Sequence, residues 1–161
     1  MMDKFKEVGM RKMSVLKTLV LAGMVGCFLV GCAAQDDVSF ARRLTEQLIQ
    51  GRYSARGMMA WSQLKMVGYD VGKEYSALKS EDDKVKYERD FITNFSSGFK
   101  QRGAKAKAFF NWRMDKGAFK KSDPNLKIVA ANCFDANTTF FFFIRNEHGK
   151  KKLVELKLIR L

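Results

Sequence analysis

The spacing of apolar residues switches from helical to alternating near Gly103, and neither an all-helical nor an all-strand fold accommodates both halves. Upstream, Val38, Ala41, Leu44, Thr45, Leu48 and Ile49 fall on one face of a helix predicted over Val38–Gln50, which Gly51 stops. A weaker helical pattern covers Ser54–Met66 through Met58, Met59, Trp61 and Met66, with Gly57 as its soft point. Gly68 and Gly72 mark a loop, and Lys73–Leu78 supplies a further turn. The third helix has the clearest start. Ser80 and Asp83 form a capping pair, Glu81, Asp82 and Asp83 suit the positive end of the dipole, and Val85, Tyr87, Phe91, Ile92, Phe95 and Phe99 share a face. Glu88 falls within that apolar arc, where a carboxylate must be paired, neutralised or given a polar cavity. The simplest arrangement puts Glu88 at the rim, paired with Lys84 one turn earlier.

Downstream the period is two. Ala104, Ala106, Ala108, Phe110, Trp112 and Met114 alternate with Lys105, Lys107, Phe109, Asn111 and Arg113, which predicts a half-buried strand with a wet, basic face. After a polar connection, Gly117–Asn125, strands are expected over Leu126–Phe134 and Asn137–Arg145. The run Phe140–Phe143 puts rings on both faces of the latter, so that strand must be central or covered on both sides. Asn146–Gly149 is a hairpin turn, and Lys151–Leu161 the last strand. The expected fold class is α+β: three N-terminal helices packed on a curved four-stranded antiparallel sheet, in one domain over 38–161.

Ahead of that domain, Lys4, Lys6, Arg11, Lys12 and Lys17 precede an apolar stretch from Thr18 to Val30, too short to span a bilayer comfortably. Leu29-Val30-Gly31-Cys32 closes it and resembles the lipobox of bacterial lipoproteins. The resemblance implies cleavage between Gly31 and Cys32, diacylglycerol and acyl chains on Cys32, a signal peptide over 1–31 and a lipidated tether over 32–37. Gly26-Cys27 is a poorer second candidate, since Met24 is unusual three places upstream, and Met10 or Met13 are alternative starts. Ala33 after the cysteine is similar to the default for outer-membrane sorting, which implies a periplasmic-side anchor in the outer rather than the inner membrane.

Cleavage leaves 130 residues, enough for one core, and Cys133 as the single unmodified thiol. The chain carries 30 Lys/Arg and 17 Asp/Glu, a net charge of +13, of which +10 stays with the cleaved form. Such a domain is drawn to anionic head groups or envelope partners, and an exported chain does not meet nucleic acid.

The element order, with an aromatic-rich third helix followed by a meander, resembles the nuclear-transport-factor-2-like (cystatin-like) cone fold over nearly all of Val38–Leu161. More narrowly, Gly72-Lys73-Glu74-Tyr75, Leu78-Lys79-Ser80-Glu81 and Phe91 with Phe95 are similar to a stretch of periplasmic phospholipid-binding proteins of the Mla/toluene-tolerance type. Here tyrosine stands where those proteins carry tryptophan.

A lone histidine, His148, in a tight turn offers neither a triad nor a zinc site, so no catalytic residue, metal or cofactor is expected. The candidate pocket is Glu88, Tyr87, Phe91, Phe95, Trp112 and Asn132, and the candidate basic face is Lys105, Lys107, Arg113, Lys150, Lys151 and Lys152. The expected function is a membrane-anchored, non-catalytic binding or assembly module for an apolar or anionic ligand or an envelope protein. The alternatives are a phospholipid-binding or transport protein, and a small enzyme using Glu88.

Overall fold

Helix α1 runs through residues 36–49 and buries Phe40, Ala41, Leu44, Leu48 and Ile49, the stripe its sequence spacing dictates. The computed structural model describes residues 36–101, 105–119 and 123–160; the expected signal peptide, Gly31, Cys32 and most of the tether lie outside them. Thr45 sits in the apolar stripe because its hydroxyl donates to the Ala41 carbonyl, 2.9 Å away. Gly51, with φ of 68°, ends the helix in the left-handed region, its N–H bonded to Leu48.

The segment expected as a second helix over Ser54–Met66 is something else. It forms a 3₁₀ helix Tyr53–Met58, another at Trp61–Gln63, and a two-residue strand β1, Lys65–Met66. The apolar side chains here do not repeat at helical spacing. Met59 and Leu64 are instead buried along the edge of the sheet, with the Ala60 N–H donating to the Leu153 carbonyl at 2.9 Å. A tight turn leads to β2, Tyr69–Asp70, and then to α2, Val71–Ala77, capped by the Asp70 carboxylate on the Lys73 N–H at 3.0 Å. Gly72 lets α2 close on the preceding 3₁₀ helix: a Cβ there would lie 2.6 Å from the Ser62 carbonyl oxygen.

Helix α3, Glu81–Gln101, starts as its sequence requires, with the Asp83 N–H on Ser80 Oγ at 3.0 Å and Ser80 Oγ donating to Asp83 at 2.6 Å. The strands β3 (Phe109–Met114), β4 (Leu126–Cys133), β5 (Thr138–Glu147) and β6 (Lys150–Arg160) form the expected antiparallel meander. The sheet nevertheless has six strands in the order β2-β1-β6-β5-β4-β3, and it is mixed, because β1 runs parallel to β6. Two-residue strands carry no period in sequence, so the four-stranded antiparallel expectation is corrected to a six-stranded mixed sheet.

Strand β3 departs from its predicted alternation. Residues 106–108 form a 3₁₀ turn, and Asn111, with φ of 51°, marks a register shift between Phe110 and Arg113. Phe109 is therefore the buried ring and Phe110 the exposed one, the reverse of the expectation. At the centre, Thr138 to Ile144 of β5 are all buried. Phe140 and Phe142 join the core with α1 and α3; Phe141 and Phe143 face the other side with Ile128, Ala130 and Val154, beneath Phe119. The described core is drawn from Asp37–Leu161, which forms one compact unit.

Candidate binding cleft

Aromatic rings form a continuous ladder through the domain. Tyr75 stacks on Trp61 with centroids 5.7 Å apart, Trp61 meets Phe91 edge-on at 5.5 Å, and Phe91, Phe95 and Phe99 follow one another along α3 at 6.3 and 5.0 Å. Phe99 reaches Phe140 at 6.1 Å, Phe140 reaches Phe142 at 6.4 Å, and Phe142 stacks on Trp112 at 5.6 Å. The i, i+4 spacing on α3 builds the middle of the ladder and the alternate positions of β5 the rest.

Glu88 is buried, and Lys84 does not pair with it: Lys84 Nζ bonds Glu81 at 2.7 Å. Glu88 instead accepts from Tyr75 at 3.0 Å and Tyr53 at 3.2 Å, with the half-exposed Arg56 guanidinium 3.5 Å away. The expectation of a rim position paired with Lys84 is corrected, because hydroxyls from α2 and the first 3₁₀ helix satisfy the carboxylate inside. Glu74 holds the other two tyrosines, accepting from Tyr87 at 3.0 Å and from Tyr69. Burial, and then the hydrogen bond to Glu88, push the Tyr75 hydroxyl up to about 12; burial and Glu74 likewise raise Tyr87. Carboxylates that accept hydrogen bonds from four phenolic hydroxyls tie α2, α3 and the 3₁₀ segment together. They are structural glue.

A larger opening lies elsewhere, between the C-terminal half of α3 and the end of the sheet where β4 turns into β5. It is a cleft of about 600 Å³ with Phe95, Phe99, Phe140, Leu156, Leu158 and Val67 as its apolar walls. Asn94, Asp135, Thr138 and Arg160 supply the polar lining, and Gly98 and Cys133 also face it. Burial holds the Cys133 thiol above its ordinary value. A smaller groove of about 300 Å³ runs between α1 and β3, past Arg42, Thr45, Glu46, Phe110, Asn111 and Trp112, with the Arg42 guanidinium 5.7 Å above the Trp112 ring.

The six candidate pocket residues are therefore dispersed. Glu88, Tyr87 and Phe91 belong to the tyrosine–carboxylate cluster, Trp112 lines the smaller groove, and Asn132 accepts from Arg113 at 3.1 Å and Thr139 at 3.2 Å. Only Phe95 lines the large cleft. The candidate basic face is divided as well. Lys105 and Lys107 lie at the β4–β5 end, since the Phe134 N–H bonds Ala108 at 3.0 Å. Lys150, Lys151 and Lys152 lie at the β5–β6 hairpin, the opposite end of the strands, where Lys151 pairs with Asp37 and Lys152 with the Gly57 carbonyl. Pairing register, which spacing along the chain does not reveal, separates the two groups. The sequence reading missed Gly98, Val67 and Arg160; a glycine inside an otherwise strong helical run was the available signal.

Among the described residues no three His, Cys, Asp or Glu side chains converge as a metal site, and no helix is long and apolar enough to cross a membrane. Protein-family models, curated proteins and solved structures give no match to this chain.

Proposed function

We propose that this chain is a cell-envelope lipoprotein, acylated on Cys32 and held on the periplasmic side of the outer membrane, whose domain is a non-catalytic module binding an apolar or amphiphilic ligand. The α3–sheet cleft carries the reading: its volume lies inside the roughly 300–1,000 Å³ usual for small-molecule sites, and its walls are rings and aliphatic chains with a few polar groups at the edge. A cystatin-like cone is the finer fold we assign, with helices over one face of the sheet. The enzyme alternative loses its proposed acid–base residue, because both oxygens of Glu88 already accept tyrosine hydroxyls outside this cleft. The phospholipid alternative uses the same cleft.

Two measurements test the proposal. Labelled fatty acid should enter the wild-type protein and not Cys32→Ala; equal labelling removes the anchor. Native mass spectrometry of protein extracted from its own host should show a co-purifying small molecule. An empty protein that still captures envelope proteins would leave assembly as the function.

A further inference from the structure

Two residues at the cleft go against the preferences of their own backbone. Gly98 lies inside α3, where glycine is a poor helix former, and it keeps a right-handed backbone. Gly51 and Gly72 abut Ser96 and Ser62, but a Cβ on Gly98 would meet nothing within 4 Å. Neither conformation nor packing calls for glycine there; what its missing side chain leaves is open cleft. Val67 has φ of 52° in the two-residue turn between β1 and β2, beside Gly68 at 84°, positions suited to Asn-Gly and strained for a β-branched residue. Its side chain is a cleft wall. Departures from local preference that converge on one cavity mark a functional site.

Lining and charge narrow the occupant. The apolar walls beside Gly98 suit an alkyl tail, and the polar groups gather where the cleft meets solvent. At the mouth the exposed Arg160 guanidinium has no hydrogen bond or ion pair among the described residues. Exposed Lys105 and Lys107 stand on the adjoining connection, against Asp135 as the acidic lining residue. We infer that the cleft takes an anionic amphiphile, an alkyl tail along Gly98 and its head group at Arg160. This rests on the binding reading above and adds the ligand class.

The test uses the full-length protein in isolated host membranes, with photo-crosslinking probes of one chain length: a fatty acid, the matching alcohol, the matching alkyl-trimethylammonium and a two-chain anionic phospholipid. The fatty acid should label peptides of α3 and β6 in preference to the alcohol and the cation. Gly98→Leu should abolish that labelling while thermal unfolding shows a fold at least as stable, since leucine is the better helix former. Arg160→Gln should reduce the preference for the carboxylate by about tenfold, the loss of one charge-assisted hydrogen bond. Equal cleft labelling by acid, alcohol and cation would overturn the inference and leave a generic apolar site. Dominant labelling by the phospholipid would support the anionic head-group site and identify a two-chain lipid as its source. No cleft labelling by any probe would remove the binding reading as well.

Discussion

At the scale of single residues, Glu88 shows how a buried carboxylate is kept. With Tyr53, Tyr75 and Arg56 around it, the group exchanges water for three donors, and removing it takes the acceptor from two tyrosine hydroxyls. Glu88→Leu should lower stability by about 1–3 kcal/mol in chemical denaturation, and Glu88→Gln by less, because the amide oxygen still accepts. The tyrosines give an alkaline signature. Tyr75 holds its proton to about 12 in the folded state, against an unfolded value of 10.0. The unfolded chain therefore binds fewer protons between those values, and stability falls as pH rises through that window. Tyr75→Phe should be less stable at neutral pH and show a shallower decline above about pH 10 in a pH series of unfolding curves.

At the scale of elements, close approach and turn chemistry set the tolerances. Gly72 has backbone atoms of Ser62 where a Cβ would go, so Gly72→Ala must push α2 off the 3₁₀ helix and should cost about 2 kcal/mol or more by thermal unfolding. Val67→Asn should act in the opposite sense. Relieving a strained left-handed residue should raise stability by about 1 kcal/mol while shortening one wall of the cleft.

The same elements show what could be read from the chain. Helices α1 and α3 and the three strands of the β4–β6 meander are long enough for period, caps and the His148-Gly149 turn to agree, and their fold class was legible. Residues 53–70 were not, because 3₁₀ turns and two-residue strands have no period and are positioned by the edge of β6. In β3 the single bulge at Asn111 inverted a clear alternation and with it the identity of the inward ring. The candidate site failed for a related reason: an aromatic stripe on α3 identifies a face, while the cleft depends on which sheet end that face meets.

At the scale of the whole molecule, exposed apolar surface is polarised. The large exposed hydrophobic residues among those described, Val67, Tyr69, Phe110, Phe134, Leu158 and Ile159, all lie toward the β4–β5 end of the sheet, and Phe134 is 79% exposed at its tip. Substitution at that tip tests whether it serves as a contact surface. Phe134→Asp should leave stability within about 0.5 kcal/mol, as exposed substitutions do, while weakening self-association or partition onto anionic vesicles in sedimentation assays.

Asp37 and Lys151 fasten the start of the compact unit beside the β5–β6 hairpin, and the cleft opens at the far end of the same strands. Along β6 the two points are separated by roughly ten residues, on the order of 30 Å at about 3.3 Å per residue. The domain thus has a root and a tip. A molecule entering or leaving at the tip does so without passing the root, so the two ends make no claim on the same surface and can be altered independently.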